Sequence, residues 1–340
     1  MPSSRRKFLS DSLGLCLAGL ALPSASTATQ VDDDLLAKRR LFSPIGPGLR
    51  AIRHAPNGNY YLLASPNVGI TIFDGKSKQL SVLGAPSSES AANKPASSPI
   101  AFGVDCDLDD KGNLYVADRG SNRISVFSPE GAPWRSIPVN APLSVAALPE
   151  GEIAVSTERG AHLITVFTPT GRVAREIGEA EPLASREDLN RYASLGKLAS
   201  DAQGKLYYGY AYLPEPLVRQ YDRVGYAGLD FQFTGLDAFP EAQAARKEIL
   251  RLEKKEGPIS LQPTMTAFGV DRVNGDVWMC LHNTLLHFDK DANRRSEYRV
   301  YTKDGARLEA NTILVEEERL LIGNDPLGVY EFPRPDRKPA

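Results

Sequence analysis

Residues 103–131 read GVDCDLDDKGNLYVADRGSNRISVFSPEG. The stretch changes character several times: an apolar run, an acidic turn closed by Gly112, a second run at 114–118, a charged loop, a third run at 123–127 and a closing turn at Gly131. Runs this short, rich in β-branched and aromatic residues and bounded by Gly, Asp, Asn and Pro, predict antiparallel strands joined by tight turns.

The pattern recurs five times, in segments beginning at Ile52, Val145, Leu198, Gly269 and Ile313. The turn glycine returns as Gly58, Gly151, Gly204 and Gly275, with Glu318 in its place in the last copy. An aromatic follows 12 to 17 residues later, as Phe73, Phe127, Phe167, Tyr221, Phe288 and Tyr330. The glycine supplies a positive φ between strands, and the aromatic fills an apolar layer between neighbouring sheets. One such unit cannot bury both faces, so copies must stack, and radial stacking of small sheets makes a β-propeller. Residues 35–42, LLAKRRLF, precede the first copy, while the last copy lacks a fourth strand. They are predicted to complete the last blade and remove its free edge.

The run GVDCDLDDKGNLYVADRGSNRISVFSPEG resembles an NHL repeat, with its glycine-valine-aspartate strand, its GNLYVAD strand and its RI-VF strand. The resemblance extends over residues 41–335 and implies an all-β, six-bladed NHL-like propeller spanning residues 29–340. Surplus chain lies in three insertions, all between one copy's last strand and the next copy's first, and therefore on one face. Residues 85–100 are rich in Ser, Ala and Pro and predict a mobile loop. In residues 180–193, Ser185 and Asp188 resemble a capping pair. Residues 240–256 open on Pro and stop at Gly257, predicting a helix of about four turns with Ile249 and Leu252 on one stripe.

Residues 1–28 carry Arg5, Arg6 and Lys7, an apolar run from Leu13 to Leu22, and small residues suited to cleavage after Ala28. This is the form of an export signal, and Ser4-Arg5-Arg6-Lys7-Phe8-Leu9 resembles the twin-arginine type. It implies a periplasmic or otherwise exported protein without stable membrane insertion after cleavage, since the run is far short of the ~20 residues a span needs. Removing residues 1–28 leaves 37 basic against 41 acidic side chains, a net charge of −4. That balance argues against nucleic acid as a partner. Cys106 and Cys280 fall three blades apart, too far for a disulfide, and are predicted to be buried free thiols.

No nucleophile elbow, phosphate loop or metalloprotease motif is present, so no catalytic residue is assigned. The loops on the insertion-bearing face offer Arg119, Arg123, Glu158, Arg159, His162, Tyr210, Tyr212, Glu215, His282, Asn283, Asn324 and Asp325. Such a polar and aromatic ring suits a binding or scaffolding module for a protein, peptide or glycan, with no cofactor. The alternative is a lyase or lactonase using calcium or zinc at the central pore, as related propellers do. Zinc would need converging ligands, for which the candidates are His54, His162 and His282, while basic Arg50 and Arg53 stand where a lactonase would need a carboxylate.

Overall fold

The computed structural model describes residues 33–64, 69–84, 100–234, 239–254 and 257–337. The export signal predicted at 1–28 and residues 85–99 of the predicted mobile loop lie outside them. In the unit at 103–131, strands β7 (Gly103–Leu108), β8 (Leu114–Asp118) and β9 (Arg123–Phe127) are joined by β10 (Pro133–Pro138) into one antiparallel sheet, with β7 innermost. Six such sheets make a six-bladed β-propeller. Among the described residues no helix is long and apolar enough to cross a membrane.

The inner hairpins turn as the glycines require. Gly58, Gly112, Gly151, Gly204 and Gly275 all have φ between 79° and 83°, a conformation that costs residues with a Cβ. Three of these turns are also fixed by an aspartate. Asp109 Oδ1 accepts the N–H groups of Lys111 and Asn113, Asp201 those of Gln203 and Lys205, and Asp271 that of Val273. These three aspartates are thus turn-forming groups.

Each blade junction holds its own apolar cluster, six in all, and every repeat aromatic but one is buried in this layer. The exception corrects the sequence reading. In the last blade Phe332, not Tyr330, pairs across the third strand with the first residues of the second, opposite Leu320, as Phe127 does opposite Leu114. Phe332 is buried and Tyr330 half-buried. Spacing alone could not separate two aromatics one alternation apart.

The stretch before the first copy divides between two blades. Strand β2 (Arg39–Leu41) pairs antiparallel with β25 (Gly328–Pro333) and is the outer strand of the sixth blade. Strand β1 (Asp33–Leu36) instead lies parallel on β22 (Arg294–Tyr301), giving the fifth blade a fifth strand.

Because the strands alternate in direction, the connections from second to third strand and from one blade to the next share one face, the insertion face. The inner hairpin turns lie on the other, the turn face. On the insertion face, α1 (Glu187–Ala193) packs on α2 (Pro240–Lys254) through Leu189, Ala193, Ile249 and Leu252, a small core of their own. Ser185 does not cap α1. The helix begins one residue later than the capping pattern requires, at Glu187, and the Ser185 N–H is taken by Glu253 of α2.

Candidate binding site at the channel

The six inner strands can be put in register by one hydrogen bond. The N–H groups of Ala55, Asp109, Leu148, Asp201, Asp271 and Glu316 each donate to the carbonyl just past the hairpin turn. Counting back four residues gives one tier around the channel: Ala51, Asp105, Ser144, Lys197, Ala267 and Thr312. Its polar half is a relay. Arg53 of the first blade donates from Nη2 to Asp105 and from Nε to Asp107 in the second, both at 3.1 Å. Asp105 Oδ2 accepts from Ser144 Oγ and Val145 N in the third, and Ser144 Oγ accepts from Leu198 N in the fourth at 2.9 Å. A second line runs from Arg53 through Asp107 to the Ala147 N–H, with Ser200 Oγ on the Ala147 carbonyl. Arg53 is held firmly protonated: burial opposes its charge, and Asp105 and Asp107 more than offset that.

Where this relay reaches the turn face the channel opens into a cavity of about 950 Å³, within the usual range for a ligand site. Arg53, His54, Tyr60, Asp271, Glu316 and Arg319 are among its lining. Glu316 is its best-held charge. His54 Nδ1 lies 2.8 Å from Oε1, Tyr60 Oη donates at 2.8 Å and Arg319 Nε at 2.6 Å. Burial would raise the Glu316 pKa, but these donors outweigh it and bring it down to about 2. Burial, reinforced by the same carboxylate, pushes the Tyr60 phenol up to about 12. At the rim, Arg272, Glu317 and Glu318 are exposed, and among the described residues their side chains make no hydrogen bond or ion pair.

On the insertion face most of the polar ring predicted from sequence is engaged in tying loops together. Arg119 pairs with Glu158, Arg123 with Asp118, and Glu215 with Arg246. Asn324 donates to the Glu309 carbonyl and Asp325 accepts the Gly48 N–H. Asn283 is buried and accepts from Arg307. Tyr210 is fully buried, its hydroxyl near Glu181 and Arg219, while the Tyr212 ring packs at a tilt against Tyr192 of α1. Arg159 is exposed and His162 half-buried. Sequence reasoning missed Arg191, whose guanidinium donates to the carbonyls of Thr157, Glu158 and His162 and so fixes that loop; nothing in its helical setting signals the role.

The three candidate zinc histidines lie apart. His54 ends an inner strand at the turn face, whereas His162 and His282 sit in second-to-third-strand loops of the third and fifth blades. His282 Nε2 lies 3.2 Å from the Pro263 carbonyl. Among the described residues the one group with metal-ligand spacing is Asp276, His287 and Asp336. There Asp336 is already held at both oxygens by Arg334, and His287 stacks on Trp278. Cys106 and Cys280 are both free and buried.

The chain matches no protein-family model and no curated protein sequence. Solved structures with the same architecture include a streptogramin B lyase, at 12% identity and a TM-score of 0.52 over 87% of this chain and 86% of that one. A catalytically inactive virginiamycin B lyase from Staphylococcus aureus with quinupristin aligns at 11% identity and a TM-score of 0.52, over 87% and 98%. The protein U3-55K aligns at 10% identity and a TM-score of 0.54, also over 87% and 98%. At these identities the likeness is one of fold: this chain is a six-bladed β-propeller with structural neighbours of the virginiamycin B lyase type.

Proposed function

We propose that this chain is an exported, NHL-like binding module that takes a polar segment, a peptide or a glycan, at the turn-face mouth of its channel. The supporting observation is the cavity there. It is large enough for several residues or sugars, its walls carry fixed charges of both signs, and its rim offers Arg272, Glu317 and Glu318, whose side chains have no partner among the described residues. Preorganised polar walls bind without the cost of ordering them.

The test uses residues 29–340 on peptide and glycan arrays, beside two variants. Rim changes Arg272→Glu, Glu317→Lys and Glu318→Lys should abolish binding, while Arg159→Glu with His162→Ala on the insertion face should leave it intact. The opposite pattern would move the site to the insertion face. Near-stoichiometric calcium or zinc by elemental analysis, with metal-dependent cleavage of a lactone, would replace this reading with the lyase or lactonase one.

A further inference from the structure

The turn-face cavity is sorted by depth. Three residues back from the hydrogen bond that aligns the inner strands stand Ile52, Cys106, Val145, Leu198, Phe268 and Ile313, an apolar tier all round the ring. Leu198, Phe268 and Ile313 of this tier line the deep end of the cavity. The next tier toward the mouth is divided. On the first and second blades Arg53 and Asp107 hold each other, while across the channel Ala199, Gly269 and Leu314 are small or aliphatic and leave the space open. Exposed charges without a partner among the described residues come at the rim, as Glu317 and Glu318 against Arg272. Arg337, also in the lining, lies 3.8 Å from Asp271 and 3.9 Å from Asp336.

Phe268 and Leu314 are half-buried, so part of each side chain is open to the cavity. The Phe268 ring is fixed from behind. Gly209, in the second strand of the fourth blade, has no side chain where the ring lies, and a Cβ there would come 2.5 Å from Phe268 Cδ1. An aromatic placed in this way is a preformed contact, with no ordering cost on binding. The depth profile separates the two ligand classes. A sugar ring at the deep end would give up water from its hydroxyls, and the side chains of Leu198, Phe268 and Ile313 offer no hydrogen bond in return. An aliphatic or aromatic side chain gains by leaving water at the same place. At the rim, two carboxylates against one guanidinium leave an excess of negative charge, which favours a cationic partner.

We propose that the ligand of the mouth is a basic peptide, with one aliphatic or aromatic side chain seated on Phe268 and Leu314 and flanking Lys or Arg residues on Glu317 and Glu318. This rests on the binding reading above and narrows it from peptide or glycan to a peptide of one charge sign with an apolar anchor.

The probe is the peptide Lys-Lys-Leu-Lys-Lys, blocked at both ends and titrated calorimetrically into residues 29–340. Beside it stand a version with Ser for Leu, a version with Glu for every Lys, and a neutral hexasaccharide. The first peptide should bind saturably, and the Ser version about tenfold more weakly, from loss of the buried side chain. Changing Glu317→Gln together with Glu318→Gln should weaken the first peptide about fivefold, as expected for two exposed ion pairs. Leu314→Ser should reproduce the loss from the protein side; if that variant fails to fold, the Leu and Ser peptides carry the same comparison on wild-type protein. Equal binding of those two peptides, tighter binding of the Glu peptide or the hexasaccharide, or no binding of any probe would overturn the proposal. The rim variants keep the two readings apart. A glycan or acidic peptide whose binding they abolish leaves the mouth reading standing without this one, and binding that ignores them removes both.

Discussion

Glu316 shows what one residue does at the channel mouth. Its carboxylate is common acceptor to His54, Tyr60 and Arg319, and so joins the first blade to the sixth. Its pKa falls from 4.5 to about 2 on folding, so the unfolded chain takes up the proton first as pH drops. The stabilisation is therefore complete above pH 4.5 and is lost as pH falls through 2. Glu316→Gln should cost about 2 kcal/mol at pH 7 in urea unfolding, since three donors lose their charged acceptor. The gap between variant and wild type should then close between pH 4.5 and 2; a constant gap would contradict the assignment. The thiols make a second residue-scale prediction. Burial pushes Cys280 up to about 12 and Cys106 up as well, so neither should react with a disulfide reagent at pH 8 until denaturant is added.

At the scale of elements, the edge of the sixth blade is the vulnerable point. Without β2 its third strand would present an open row of donors and acceptors. Deleting residues 29–42 removes both β2 and the parallel strand β1, exposing edges on two adjacent blades, and should lower the melting temperature by more than 10 °C by circular dichroism. An unchanged melt would show that the pairing contributes nothing to the closed ring. What was legible here depended on local chemistry. The turn glycines and the strand alternation are short-range signals, and they placed five of the six repeat aromatics correctly. The parallel pairing of Asp33–Leu36 with Tyr298–Tyr301 is decided by partners far along the chain, which a local pattern does not encode. The same holds for the site. Arg53 and His54 stood out as charged residues in an inner strand, yet their partners Asp105, Asp107 and Glu316 come from other blades, and only the ring brings them together.

Over the whole molecule, each of the six apolar clusters belongs to two blades. Closure leaves no terminal blade with a bare face, unlike an open solenoid, whose ends need caps. Losing any one blade therefore strips a partner from two clusters, and the ring should unfold as a unit. Far-ultraviolet circular dichroism and the fluorescence of Trp278, buried in the fifth blade, should give coincident urea transitions. Separate midpoints would mean that part of the ring is an independent unit.

The pairing of β2 with β25 also sets an order of events during synthesis. Arg39 and its partner Glu331 lie 292 residues apart, so the first strands leave the ribosome with nothing to join. At ~5–20 residues per second they wait on the order of 15–60 s for the last blade to be translated. During that interval β1 and β2 are unpaired edge sequences on an unfinished protein. A chaperone that masks residues 33–41, or a pause that delays the final blade, would change the yield of folded protein while leaving the finished ring the same.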